Sequence, residues 1–519
     1  MSPGPRHLLT PFAFPDMTGT ATPAYDHLHA LNLRLHRLGH LAAIAGWDQA
    51  ANMPPRGNEA RAQAQAELAA LMHGLRTDPA LAPVFARAAG EALDADQRAN
   101  LAETEREWRL ATALPADLVQ RRQLATSRCE HAWRQQRPAN DWAGFLLNFR
   151  EVLAVAREEA ALLAARSGLS RYDALMDRFE PGMRSATVDR LFGELRQWLP
   201  GLITRVVERQ RARDAAAPAL QPAGPFAVDA QRRLCEQVMR LLGFDFDAGR
   251  LDVSTHPFCG GVPEDVRLTT RFSEDGFLGS LMGTVHETGH GRYEQNLPRA
   301  WLGQPLAQAR SMAIHESQSL AFEMQLGAHP GFVARLAPLL RAAFGPQPAF
   351  EPANLARLMT RVQPGLIRVD ADEVTYPAHV ILRYEIERPL IEGEIEPEDI
   401  PALWDAKMHE LLGLDTRGNF RDGPLQDVHW PEGLFGYFPC YTLGAMYAAQ
   451  WFAAMRREQP DLDARIAAGD LQPVFDWLRE RVWSQGSRWS TGELVQRASG
   501  EPLNPAHLRA HLERRYLGD

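Results

Sequence analysis

Residues Phe277 to Val285 carry no charged side chain, and the stretch continues directly into His286-Glu287-Thr288-Gly289-His290. An apolar run with helical spacing has to be buried, and histidines on a buried helix need partners. The two histidines are four residues apart, so their imidazoles leave one helix face a turn apart. This is the H-E-x-x-H pattern. It grips a zinc ion and leaves the glutamate after the first ligand free to take a proton from an attacking water. Asp275 reads as the N-cap of this helix and Pro298 as its stop. Any fold for this chain must therefore enclose a polar centre between buried helices.

A catalytic zinc needs three protein ligands and one open position. Downstream, Ala313 to Leu320 has apolar helical spacing interrupted by His315-Glu316-Ser317. Glu316 is a carboxylate in an apolar run and is placed to complete a His-His-Glu set from a neighbouring helix. Its other reading is a surface carboxylate or an arginine's partner. His315 faces a different side of that helix and is not counted as a ligand. With Glu287 as the proton acceptor, the set points to a metal-dependent hydrolase, most simply a peptidase.

Peptide hydrolysis also needs a donor for the oxyanion of the tetrahedral intermediate. Gln426 to Trp430 and Phe435 to Tyr441 crowd His, Trp, Tyr and Phe between Gly and Pro turns. On composition alone they fill a core with satisfied polar tips more readily than they line a pocket. Arg267 and Arg368 become relevant if the substrate ends in a free carboxylate, which guanidinium holds with two parallel hydrogen bonds.

The formal net charge of -9 over 519 residues gives no electrostatic footprint for nucleic acid and no attraction to an anionic membrane. No apolar stretch is long enough to span a bilayer. Cys129, Cys235, Cys259 and Cys440 lack motif spacing and read as free thiols of a reducing cytoplasm. From Tyr25 to about Arg213 the periodicity is helical, as in Leu31-Leu33-Leu35-Leu38-Leu41. Breaks fall at Met53-Pro54-Pro55, Leu114-Pro115 and Glu180-Pro181-Gly182. Asp214 to Gly224 reads as a surface loop. Leu251 to Phe272 alternates polar and β-branched residues and reads as two or three short strands. After Phe277 helical spacing resumes to the end. The sequence thus predicts a mainly α fold, a large helical body with a cleft and a small β-sheet just before the histidine helix.

Six motifs stand in order: His256-Pro257-Phe258, Asp265-x-Arg267-x-Thr269, His286-Glu287-x-x-His290, His315-Glu316-Ser317, Ile367-Arg368-x-x-Ala371-Asp372 and Gly423-x-x-Gln426-Asp427-x-His429-Trp430. In these the chain resembles the M32 family of metallocarboxypeptidases, of the thermostable carboxypeptidase 1 type. Gly46-Trp47-Asp48-Gln49 and Met53-Pro54-Pro55 are similar to that family's N-terminal part. The resemblance runs from about Tyr25 to the C-terminus. It implies one peptidase domain over residues 25–519, preceded by an extension, 1–24, expected to be disordered. It implies a helical fold with a deep central cleft, like neurolysin and angiotensin-converting enzyme, and a homodimer. The implied activity is release of single C-terminal residues from peptides, broad in side chain and poor on proline. It implies His286, His290 and Glu316 as metal ligands, Glu287 as the base, and zinc as the metal, with cobalt a possible substitute. Arg267 and Arg368 would bind the terminal carboxylate, and His256 would help close the far end of the groove. His429 would contact the oxyanion or the substrate, and Tyr441, with Tyr437 in reserve, would help polarise the carbonyl.

Overall fold

The computed structural model describes residues 20–518. The expected disordered extension falls mostly on residues 1–19, which lie outside the described residues. The first helix is Pro23–Ala51. Proline at its first position costs no hydrogen bond, because that N–H has no partner within a helix. The breaks read from the sequence are observed, and four more fall at residues 77–80, 89–94, 137–141 and 168–170. Met53 to Pro55 separates Pro23–Ala51 from Asn58–Arg76, and Pro115 precedes Ala116–Gln136. Residues 180–182 separate Arg171–Met176 from Ser185–Ala216. This last helix runs to Ala216, into the stretch expected to be loop.

Two hydrophobic cores form. The smaller gathers Leu28, Leu31 and Leu35 with Leu81, Val84, Phe85 and Leu101 from the N-terminal helices. Leu41 follows the same apolar series yet is 63% exposed, and burial returns only at Trp47 near the end of the helix. The larger core holds the rest of the body. Polar contacts join the two. Asn100 Oδ1 accepts the Leu306 N–H at 2.9 Å, and Glu103 pairs with the buried Arg310 at 3.0 Å. Asp96 accepts from the Trp301 indole at 3.2 Å.

The strands are β1 (Gly249–Val253), β2 (Cys259–Val262) and β3 (Asp265–Thr270). They form one sheet in the order β1-β3-β2, with β1 parallel and β2 antiparallel to the central β3. The sheet precedes the histidine helix Leu278–Gln295, as the alternation predicts. The cap of that helix differs from the expectation. Its N-cap is Phe277 and no side chain caps it; Asp275 lies two residues too early, in a turn where its N–H donates to Ser273 Oγ. Burial of Phe277 at 2% exposure, rather than a polar cap, anchors this end. A second difference lies at residues 413–438, which form turns between the helices Ile400–Leu412 and Pro439–Glu458 instead of continuing the helical pattern.

Candidate metal centre

Three helices meet at the site, and two glycines let them approach. A Cβ on Gly289 would stand 2.4 Å from the Gln318 carbonyl oxygen, so the histidine helix rests backbone to backbone on Met312–Leu320. A Cβ on Gly444 would stand 2.8 Å from Glu316 Cγ, so Pro439–Glu458 presses on the Glu316 side chain from the other side. Any larger residue at either place would push the helices apart.

One oxygen of Glu316 faces both histidines. Oε2 lies 3.4 Å from His290 Nε2 and 3.9 Å from His286 Nε2. The three donor atoms lie within 4.8 Å of one another. Ligands at zinc-ligand distances around a tetrahedral ion stand roughly 3.3 Å apart, so the set fits a divalent cation with little adjustment. The other ring nitrogens are already engaged. His286 Nδ1 meets Glu323 Oε2 at 2.8 Å. His290 Nδ1 lies 2.5 Å from His315 Nδ1, and His315 Nε2 meets Glu294 Oε1 at 2.8 Å. This network assigns the hydrogens. His315 donates to Glu294, His290 donates to His315, and both Nε2 lone pairs are left for a metal.

The two imidazoles differ in charge: burial would lower His286, but Glu316 and Glu323 raise it to about 10, so a cation has to displace a proton there, whereas burial lowers His290 to about 4. Glu316 is buried, which alone would raise it, but the imidazoles of His286 and His290 hold it at about 2. Burial pushes the neighbouring Glu287 up to about 7. Glu287 is only 6% exposed, and its Oε2 has no hydrogen-bond partner. A carboxylate oxygen kept unpaired away from water is costly unless a further group completes it.

The other predicted residues fall into two groups that share no partner among the described residues. Arg368, on a single turn Arg368–Asp370, donates from Nε to Asp427 at 2.9 Å and from Nη1 to the Tyr376 hydroxyl at 2.8 Å. Gln426 accepts the Arg368 backbone N–H at 2.7 Å, and Arg383 holds the second oxygen of Asp427 at 2.6 Å. The Arg368 guanidinium lies 4.9 Å from the Tyr441 ring, and the Tyr441 hydroxyl is 3.0 Å from His429 Nε2. Tyr437 stacks edge-on to Tyr441 with centroids 5.3 Å apart. Burial lowers His429 to about 3, leaving it neutral. Arg267 instead forms a two-pronged pair with Asp265, at 2.5 and 2.9 Å, and lies 4.4 Å over the Trp47 ring. His256 is exposed on the β1–β2 loop, its carbonyl accepting from Ser254 Oγ at 2.6 Å. Thr269 ties that loop to β3, because its Oγ1 accepts the Phe258 N–H at 3.0 Å.

Sequence reasoning assigned no part to Glu323, Glu294, Tyr376, Asp427 or Arg383, and set His315 aside. His315 is not a ligand, but it orients one. Asp427 and Gln426 stood inside a quoted motif, where their place beside His429 was the available signal. The motif aspartate Asp372 serves the backbone, accepting N–H groups of Gln363, Val374 and Thr375.

Known proteins match this chain over nearly its whole length. The family model described as Carboxypeptidase Taq (M32) metallopeptidase matches residues 27–516. Thermostable carboxypeptidase 1 of Thermus thermophilus is 39% identical over 509 residues, covering 96% of this chain and 99% of that protein. The structure of Trypanosoma cruzi metallocarboxypeptidase 1 superposes with a TM-score of 0.93 at 47% identity, over 95% of this chain and 99% of that one. The M32 carboxypeptidase of Deinococcus radiodurans gives 0.87 at 32% identity, over 95% and 99%. The chain belongs to the carboxypeptidase Taq (M32) family of metallopeptidases, enzymes that hydrolyse peptide bonds.

Proposed function

We propose that the protein is a zinc-dependent carboxypeptidase that releases single residues from the C-terminus of peptides, broadly in side chain and poorly at proline. The observation that carries the reading is the unpartnered, buried Oε2 of Glu287 beside a three-donor cluster. His286, His290 and Glu316 would hold the cation, with zinc favoured by two imidazoles and a carboxylate and cobalt able to replace it. Such a cation polarises a carbonyl and lowers the pKa of water toward neutrality. Glu287 takes a proton from the attacking water and passes it to the leaving amine, a role suited to a carboxyl pushed up to about 7. Tyr441, hydrogen-bonded to His429, donates to the carbonyl oxygen as negative charge grows there, with Tyr437 behind it. Arg368 binds the terminal carboxylate, oriented by Asp427 and Tyr376. Arg267 assists from the sheet side, and the His256 loop closes the groove. The family resemblance extends the proposal to a homodimer, and the free thiols of Cys129, Cys235, Cys259 and Cys440 extend it to a reducing cytoplasm.

Mass analysis of the products from one unmodified peptide tests it. The expected result is a ladder shortened one residue at a time from the C-terminus. Internal fragments would instead identify an oligopeptidase built on the same metal set.

A further inference from the structure

A cavity of about 520 Å³ opens between the two cores, and its wall includes Met312, one helical turn before Glu316. Four arginines line it, Arg76, Arg106, Arg178 and Arg310, together with the carboxylate of Glu107. The other counter-charges are shared. Glu103 pairs with Arg106 at 2.8 Å and with Arg310 at 3.0 Å. Glu159 pairs with Arg178 at 2.8 Å and with Arg122 at 3.1 Å, and Arg122 lies outside the wall. The wall's four guanidiniums, with Arg122 beside them, thus share Glu103, Glu107 and Glu159, and the buried Glu180 between Phe179 and Pro181 also acts on Arg310. Burial pushes the Glu107 and Glu180 carboxyls up, which weakens both as counter-charges. The Nε atoms of Arg76 and Arg310 are buried without a hydrogen-bond partner. Arg310 is buried and paired, while Arg106 and Arg178 keep 31% and 27% of their side chains in solvent, so what calls for an anion is the unmade donors of Arg76 and Arg310.

The place of the cavity relative to Arg368 shows what could fill it. Phe179 in the wall stacks edge-on to Tyr437 at 5.1 Å, Tyr437 meets Tyr441 at 5.3 Å, and Arg368 lies 4.9 Å from the Tyr441 ring. These packed rings give the span from the cavity wall to the guanidinium assigned to the substrate's end, three contacts of about 5 Å each. An extended peptide advances roughly 3.3 Å per residue, so each spacing spans about one and a half residues. The volume exceeds what a single small ion needs, since water occupies only about 30 Å³. Leu110, Leu114 and Phe179 offer an apolar wall to a methylene stem.

We propose that this cavity is a subsite for the acidic side chain of a peptide residue lying third to fifth from the C-terminus. It rests on the reading above that Arg368 receives the terminal carboxylate. The chemistry recognised is a carboxylate, held by charge-assisted hydrogen bonds from Arg76 and Arg106.

The test uses peptide pairs identical except for Glu or Gln at the third, fourth or fifth position from a free C-terminus. Binding is measured on the full-length Glu287→Gln protein, and cleavage on the unaltered enzyme. At one of these positions the Glu peptide should bind about tenfold more tightly than its Gln twin. The preference should fall to about twofold or less when Arg76→Gln or Arg106→Gln is added, and should shrink at high salt. Equal binding of the twins at all three positions overturns the proposal, as does a preference that survives both arginine changes. Added acetate that lifts the Gln peptide to the level of the Glu peptide identifies a free-anion site and also overturns it. Absence of cleavage with the binding preference intact upholds the subsite and removes the peptidase reading instead.

Discussion

His290 and His315 face each other through their Nδ1 atoms, 2.5 Å apart, and Glu294 closes the chain on the far nitrogen of His315. A second carboxylate, Glu323, does the same directly for His286. The two ligands are therefore oriented by unlike devices, one through an intervening imidazole and one without. Partners of this kind fix the ring and raise its basicity, and their loss costs about 10- to 100-fold in metal affinity. His315→Ala should weaken zinc binding by that amount in competition with a chromophoric chelator, while far-ultraviolet circular dichroism stays unchanged. Wild-type affinity in this variant would show that His315 only packs.

Arg368 shares the carboxylate of Asp427 with Arg383, and the proposed function gives it a second carboxylate, that of the substrate. Two guanidiniums on one buried Asp427 leave net positive charge at this spot. A peptide with a free C-terminus should accordingly be cleaved with at least about tenfold higher kcat/KM than its C-terminal amide, one charge-assisted contact being involved. The ratio should approach one in Arg368→Met, with the loss chiefly in KM. Asp427→Asn should reduce it as well, by leaving the guanidinium free to turn away. An undiminished ratio in Arg368→Met would remove the residue from substrate binding.

Glu373 anchors the last helix, Ala506–Leu517, to the turn after Arg368. It meets His511 at 2.5 Å, Arg515 at 2.8 Å and the Tyr516 hydroxyl at 2.9 Å. Burial alone would raise its carboxyl, but Arg515 and the hydrogen-bond donors hold it at about 2, against an ordinary 4.5. A lowered folded-state value means the contribution is complete above 4.5 and is lost as pH falls toward 2. Its size is about 3 kcal/mol. Urea unfolding between pH 6 and about pH 3 should show stability falling with acid, and the slope should flatten in Glu373→Gln. Identical slopes in the two proteins would contradict the assignment.

What could be read from the chain was what depends on local spacing. His286, His290 and Glu287 follow from one helical turn, and Glu316 from a carboxylate in an apolar run. The small sheet was visible as alternation over Leu251 to Phe272. Contacts between distant segments were not visible. Asp427 reaches Arg368 across 59 residues, and no periodicity encodes that pairing. Gly289 and Gly444 look like ordinary helix-interior glycines until the neighbouring helix is in place. Glu323 reaches His286 from a π-helical turn, Ala321–Gly327, whose extra residue shifts the face that regular helical counting would assign. Asp275 has the right residue type for a cap, but the helix begins later, where burial of Phe277 outweighs capping preference.

The most direct measurement of the account is metal content by plasma mass spectrometry on purified wild-type, Glu287→Gln and Glu316→Gln proteins, paired with turnover of one free-acid peptide. Wild type and Glu287→Gln should each carry about one zinc per chain, with turnover lost only in the latter, by on the order of a thousandfold or more. Glu316→Gln should lose most of the metal. Full zinc in Glu316→Gln, or wild-type turnover in Glu287→Gln, would contradict it.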